Sequence, residues 1–394
     1  MKKLSFLAIL AAITLFSCQN NEVQENLDET AIAKGFTSQI IDGQYVVIYK
    51  DQGALRSAKT DGFAAPEVVM QVTRSILNES NISFREPEQV YGSALRGIAI
   101  KLSVTEASKL KTNENVAGVY PDMIVTFALP SAMAKKPKPV PPGESVPWGI
   151  TRVGGAADGT GKTAWIIDTG IDMDHPDLNV DQTRGKNFIL TSALPDDDNG
   201  HGTHCAGIVA AVDNTIGVIG VAAGATVVPV KVLNRKGSGT YSQIIAGIDY
   251  VAANAKAGDA ANLSLGGGIY DPIDQAILNL GAKGVKVAIA AGNESQNANN
   301  CSPARVNGTN IYTISAMGTG DLWASYSNFG NPPIDYCAPG SSIYSTYKGG
   351  AYATLSGTSM ATPHVCGILL LGNIQTDGYV QGDPDGNPDP IAHR

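Results

Sequence analysis

Trp165-Ile166-Ile167-Asp168-Thr169-Gly170-Ile171-Asp172 is an apolar run that ends in a carboxylate and then a glycine. It reads as a buried strand that delivers Asp168 to its C-terminal end. Similar apolar runs at 227–233, 261–265, 285–290 and 311–316 alternate with helical patterns at 203–212, 242–255, 272–284 and 358–371. Strands alternating with helices predict an α/β fold, a parallel sheet with helices on both faces. In such sheets function gathers at the C-terminal ends of the strands, where Asp168, Ser264 and Asn293 all fall.

Two further stretches carry chemistry. In Asn199-Gly200-His201-Gly202-Thr203-His204-Cys205-Ala206-Gly207 a histidine stands among glycines before an apolar helix. In Gly357-Thr358-Ser359-Met360-Ala361-Thr362-Pro363-His364 a glycine frees the backbone to turn, and Ser359 sits where a helix begins. Pro363 in the first turn costs that helix little. Alone, Ser359 reads as an N-cap rather than as a nucleophile beside backbone donors. With Asp168 and His201 it completes a nucleophile–base–orienting acid set, in one of the known chain orders of that triad. His201 and His204 are spaced i, i+3, whereas zinc motifs on a helix want i, i+4 and a nearby carboxylate, so a metal role for this pair is not expected.

These three motifs together resemble the subtilisin-like serine proteases, with details close to both subtilisin and proteinase K. The resemblance covers about 40–371 and implies Ser359 as nucleophile, His201 as general base and then acid, and Asp168 as the group that orients the imidazole. It implies Asn293, at the end of Ala290-Ala291-Gly292-Asn293, as an oxyanion donor; a turn residue after glycine is the plain alternative. Lys236-Gly237-Ser238-Gly239 and Ser264-Leu265-Gly266-Gly267 are similar to the two edge strands that clamp an extended peptide substrate. Such backbone clamping implies broad specificity.

Calcium is the implied cofactor. The loop Val212 to Val218, with Asn214, Ile216, Asp177 and Glu144, is similar to the family's strong site, and oxygen ligands of this kind suit a hard cation. Asp335 is similar to a second calcium aspartate. The alternative for all of these is surface turns rich in Asp and Asn.

The remainder of the chain fits a zymogen. Residues 1–17 read as a secretion signal, with Lys2 and Lys3 before an apolar run too short for a comfortable membrane span. The run ends in Leu15-Phe16-Ser17-Cys18, which resembles a lipobox and implies a lipid anchor at Cys18; ordinary signal cleavage is the alternative. Residues 18–36 would be a tether. Residues 37–127 show a β-α-β-β-α-β pattern, suggesting a ferredoxin-like sandwich that resembles the family's propeptide inhibitor domain. The Pro/Lys-rich stretch 128–143 reads as an extended linker, with maturation between Phe127 and Glu144. The peptidase domain is expected at 144–372.

The acidic tail 373–394 holds Asp383-Pro384-Asp385-Gly386-Asn387-Pro388-Asp389, like the start of an EF-hand but without the later glutamate. Residues 373–394 are expected to be an acidic C-terminal tail, an ordered or loose turn. The tail is also shorter than the strands and helix the family normally adds there.

At 43% hydrophobic and 16% charged the chain is globular, and a net charge of −8 with no basic cluster argues against nucleic acid as partner. The expected partners are polypeptide substrates and the chain's own propeptide, on a monomer that is exported and held at the cell surface or secreted. Export permits disulfides. Of Cys205, Cys301, Cys337 and Cys366, a Cys301–Cys337 pair is expected if any forms, with Cys205 free and Cys366 a core residue. Two rival readings remain. Ile167-Asp168-Thr169-Gly170 also fits an aspartic protease, which would need a second such loop from a dimer partner. A surface binding module, permanently capped by 37–127, is the non-enzymatic one.

Overall fold

A computed structural model describes residues 35–51, 64–127 and 143–394. The signal stretch 1–17, Cys18 and its tether, and most of the 128–143 linker lie outside the described residues. No helix among the described residues is long and apolar enough to cross a membrane.

The large sheet runs in the order Gln375–Tyr379, Pro390–His393, Ile334–Pro339, Ile311–Met317, Lys286–Ala290, Ala260–Leu263, Thr163–Asp168, Thr226–Lys231 and Asn179–Val180. All of these pairings are parallel except the outermost, between Gln375–Tyr379 and Pro390–His393. Both faces are buried, and the period of two along each strand sorts side chains between them. Trp165, Ile167, Val228, Val230 and Leu263 pack with helices Tyr241–Asn254 and Asp271–Ala282. Ala164, Ile166, Val227 and Ala288 pack on the other face with helices His201–Ala210 and Thr358–Leu371. The chain passes from Thr163–Asp168 to Thr226–Lys231 on one side, then to Ala260–Leu263 on the other. Asp168 therefore ends the strand at the switch point, where a crevice opens.

The N-terminal unit has the expected β-α-β-β-α-β order: Phe36–Tyr49, Pro66–Glu79, Gln89–Tyr91, Gly97–Lys101, Val104–Lys111 and Val116–Phe127. Ser103 and Glu106 form a capping box at the start of the second helix. One face of its antiparallel sheet closes over its own helices through Val47, Val69, Ile76 and Leu110. The other merges with the core of the larger domain, where Val46, Tyr91, Leu95, Ala99 and Val125 pack with Ile244, Ile248 and Ile277.

Three expectations need correcting. The tail is part of the large sheet, since Ile391 pairs with Cys337, and Ile391 and Ala392 are fully buried. Apolar residues at the end of an acidic loop drive that docking. No disulfide joins the cysteines; Cys205, Cys301, Cys337 and Cys366 are free thiols. Cys301 packs with Ala291, Ala298 and Ala304, whereas Cys337 packs with Met317, Val380 and Ile391, so the expected pair lies in separate clusters. The histidine helix starts at His201, two residues early, because Gly200 adopts φ 112° and the Asn199 side chain accepts from the His201 N–H at 3.1 Å.

Candidate active site

Asp168, His201 and Ser359 come from a strand end and two helix starts, and the fold brings them together. His201 Nδ1 lies 2.8 and 2.9 Å from the two oxygens of Asp168. Both side chains are fully buried, and Ser359 is 5% exposed. With Nδ1–H donated to the carboxylate, Nε2 is the basic nitrogen, and it meets no hydrogen-bond partner. The Ser359 hydroxyl donates to the Ser264 carbonyl at 3.2 Å. Cys205, one turn along the helix from His201, donates to the Ser359 carbonyl at 3.4 Å, which sets the serine backbone beside the histidine helix. Both oxygens of Asp168 lie on one imidazole, which is the orienting role and not that of an aspartic-protease dyad.

Asp197, four residues before His201, has no place in the three motifs, yet it braces the site. Its Oδ1 accepts from the Thr169 hydroxyl at 2.9 Å, Asn199 N–H at 2.9 Å and Gly200 N–H at 2.8 Å. Its Oδ2 accepts from Thr203 N–H at 2.9 Å and the Thr203 hydroxyl at 2.6 Å. The turn after Asp168 and the helix carrying His201 are thus held on one carboxylate. Its neighbours Asp196 and Asp198 hide it in the sequence, because three consecutive acids read as a solvated turn.

His204 is a core residue. Burial lowers its imidazole to about 3, so it is neutral, and Nε2–H is shared between the Ile343 and Ala353 carbonyls at 3.1 Å each. Asn293 accepts at Oδ1 from the Thr358 N–H and hydroxyl, both at 2.9 Å. With the oxygen end engaged, the NH2 end is the donor available to a bound carbonyl. Ser359 is the second residue of its helix, so its own N–H has no intrahelical acceptor.

One wall of the expected groove is in use. Ser238–Thr240 pairs antiparallel with the end of the N-terminal unit, Ser238 opposite Thr126, Gly239 opposite Val125 and Thr240 opposite Ile124. Phe127 N–H donates to the Gly237 carbonyl at 3.0 Å. A Cβ on Gly239 would stand 2.2 Å from the Val232 carbonyl oxygen, so the strand needs glycine to approach its neighbour. The second expected wall does not pair with the same strand. Its partner on that side is Phe36–Ile40, with Phe36 opposite Phe127. Ser264, Leu265 and Gly266 instead line a pocket with Phe36, Phe127, Asn293 and Ser359. The Phe36 ring packs against Ala291, Ala298, Cys301 and Ala304 on its floor. Phe36–Ile40 takes that side because it belongs to the same strand whose later residues, Tyr45–Tyr49, already pair with 116–121.

A second tether lies on helix Tyr241–Asn254. The Asp249 carboxylate, 9% exposed, accepts from the backbone N–H groups of Gly92, Ser93, Ala94 and Leu95 at 3.1, 2.7, 2.6 and 3.2 Å. Burial raises its pKa against the opposing pull of those donors. Asp122 accepts from the Ser242 N–H at 3.1 Å and from Gln44 at 2.9 Å. Nothing in the local sequence marks Asp249, which reads as the polar face of an amphipathic helix.

The expected calcium loop assembles in part. Asn214 accepts nothing from Asp177 but donates to it at 2.8 Å through Nδ2, and its N–H donates to Glu144 at 2.7 Å. Val218 N–H and the Tyr352 hydroxyl donate to Asp177 Oδ2 at 3.0 and 3.1 Å. Two carboxylates and an amide from three segments therefore converge beside the Val212 to Val218 carbonyls, an oxygen donor set that fits a hard cation. Asp335 stands apart from this set; its Oδ2 accepts from Thr313 N–H at 2.8 Å, and burial raises it to about 6.

Comparison with known proteins gives the family of both parts of the chain. Residues 159–373 match the family described as "Subtilase family", and residues 44–128 match "Peptidase inhibitor I9". The chain is 33% identical over 414 residues to "Extracellular serine proteinase" of Thermus sp. (strain Rt41A), covering 100% of this chain and 93% of that one. It is 36% identical over 299 residues to "Proteinase R" of Parengyodontium album, covering 71% of each. Among solved structures, "Crystal structure of a cold adapted subtilisin-like serine proteinase" matches with a TM-score of 0.57 and 36% identity, over 62% of this chain and 97% of the other.

Proposed function

The chain belongs to the subtilase family of serine proteases and carries an I9-type propeptide, and we propose that it is an exported endopeptidase made as a self-processing zymogen. The observation that carries this reading is the pairing of residues 124–126 with Ser238–Thr240, because it runs an extended chain of the protein itself to Phe127, which lines one pocket with Ser359. A substrate adding to the same edge would present its carbonyl there.

Ser359 attacks that carbonyl as its proton passes to His201 Nε2, and Asp168 holds the imidazole so that this nitrogen is the basic one. The Ser359 N–H and the Asn293 amide hold the developing oxyanion. His201 then protonates the departing amine, and water releases the acyl group by the same route. Recognition through backbone hydrogen bonds supports broad specificity. Glu144, Asp177, Asn214 and the carbonyls of Val212, Ile216 and Val218 would hold a structural calcium that ties the chain near Glu144 to the edge of the sheet; Asp335 would hold a second. The extracellular description of the Thermus relative and the signal-like N-terminus support export, with Cys18 as lipid attachment point and a monomer as the working unit.

The test is expression of residues 19–394 as wild type and Ser359→Ala, incubated with calcium and casein. Wild type should shorten to about the catalytic domain and degrade casein, and Ser359→Ala should stay full length and inert. Equal behaviour of the two proteins would sink the triad assignment.

A further inference from the structure

The strand Phe36–Tyr49 has two unlike parts. Its later residues, 45–48, pair on both edges, with Gly97–Lys101 on one side and 116–121 on the other. Among the described residues Phe36–Ile40 pairs on one edge only, with 123–127, and the register breaks between Ile40 and Tyr45. Gly43, inside that break, adopts φ +70°. Thr37, Ser38, Gln39 and Ile40 are all exposed, and the half-buried Phe36 ring is what holds the segment down. A short segment with one paired edge, exposed side chains and a break behind it opens locally, at a fraction of the cost of unfolding its domain. The body of the N-terminal unit is anchored separately, through Asp122 and Asp249.

This weakly held segment obstructs the site in two ways. With the Phe36 ring seated against Ala291, Ala298, Cys301 and Ala304, the pocket it shares with Ser359 retains about 30 Å³. That is room for about one water, so no substrate side chain can enter there beside Ser359. The strand 123–127 also has both edges taken, one by Phe36–Ile40 and the other by Ser238–Thr240. It therefore has no edge left to offer Ser264, Leu265 and Gly266.

We propose that Phe36–Ile40 is an autoinhibitory strap that sets the rate of the first self-cleavage, because it must peel away before a bond in 128–143 is cut. The proposal rests on the zymogen reading above and adds the order of events. Peeling empties the pocket of Phe36 and frees one edge of 124–127. That edge then pairs with Ser264, Leu265 and Gly266, and the chain following Phe127 is drawn to Ser359. Asp122 and Asp249 keep the propeptide docked while this happens, so the break at Ile40 to Tyr45 serves as the hinge.

The experiment uses residues 19–394, with Cys301 as a built-in reporter. Cys301 is 2% exposed beneath Phe36, whereas Cys205, Cys337 and Cys366 are fully buried. In a Ser359→Ala background, maleimide labelling is followed thiol by thiol by peptide mass, with Phe36 and with Phe36→Ala. In chains that keep Ser359, loss of the full-length band at high dilution follows the cut in 128–143. Removing the buried part of the ring favours the open strap by about fivefold to thirtyfold. Cys301 labelling and the cut should accelerate together by a factor in that range, with the other three thiols unlabelled. A cut at unchanged or lower rate, with Cys301 labelled faster, would overturn the strap. A variant that labels at all four thiols has not folded; Phe36→Leu then takes its place, with a smaller acceleration expected and an unchanged cut again counting against the proposal. Chains with Ser359 that never shorten, while Cys301 labelling still responds to Phe36, would overturn the zymogen reading itself.

Discussion

Asp197 holds Thr203 by both its backbone N–H and its hydroxyl, at 2.9 and 2.6 Å, while its other oxygen reaches back to Thr169 beside Asp168. The distance between the orienting acid and the base is therefore set by a residue that touches neither of them. Replacing Asp197 with alanine leaves two threonine hydroxyls and several N–H groups unpaired and loosens His201 against Asp168. A misplacement of about 1 Å lowers turnover roughly 10²-fold. The expected result for Asp197→Ala is a fall in kcat of that order with KM little changed, measured on a small peptide substrate. A rise in KM with kcat unchanged would contradict the positioning role.

Asn293 offers its NH2 end to the reacting carbonyl because its oxygen is held by Thr358. Asn293→Ala should lower kcat by about 10²–10³ and leave substrate affinity near that of wild type. Steady-state kinetics separate the two parameters. A rise in KM with kcat unchanged would point to a ground-state role instead.

Asp249 ties the propeptide to the peptidase through four N–H donors. Truncating one partner of a buried, hydrogen-bonded charge costs about 2–5 kcal/mol, so Asp249→Ala should shorten the lag before casein hydrolysis begins. Its carboxyl pKa is raised by burial, so the docked state binds a proton more readily than an exposed aspartate does. The docked state is then favoured at low pH and weakens as pH rises through the raised value. Hydrogen exchange of Gly92 to Leu95 in the Ser359→Ala chain, corrected for intrinsic rates, should show protection that declines with rising pH. Asp249→Asn should flatten that decline, and a decline of the same slope would assign it elsewhere.

Phe36, not Phe127, packs on the floor of the pocket beside Ser359. The segment Phe36–Ile40 thus adds a second strand to the block. Burial of part of a phenylalanine ring is worth roughly 1–2 kcal/mol, or about fivefold to thirtyfold in an equilibrium. Phe36→Ala should shorten the activation lag by a factor in that range without altering the rate of the mature enzyme. An unchanged lag would mean that Phe36 leaves the pocket before the slow step.

Much of this protein is written in patterns short enough to read along the chain. The apolar run ending in Asp168 specified a strand buried on both faces, because Trp165 and Ile167 had to face one layer and Ile166 the other. Gly357 marked where a helix could start with Ser359 at its tip, whereas the histidine helix was read from Thr203 and begins at His201. The three motifs were separate and specific, so the triad could be assembled before its geometry was known.

The tertiary structure decided everything that depends on which distant segments meet. Asp197 and Asp249 sit in stretches that look like ordinary surface, and only packing gives them backbone donors to hold. The groove's second edge went to Phe36–Ile40 because strand pairing is a competition among all donors within reach, and that competitor is some two hundred residues away in sequence. The tail joined the sheet because Ile391 and Ala392 found an apolar edge to cover, and this burial carried Asp389 inward onto the Ser315 hydroxyl. Local sequence encodes periodicity and turn chemistry. Desolvation and hydrogen-bond satisfaction are properties of the assembled neighbourhood, and they appear only when the chain has folded.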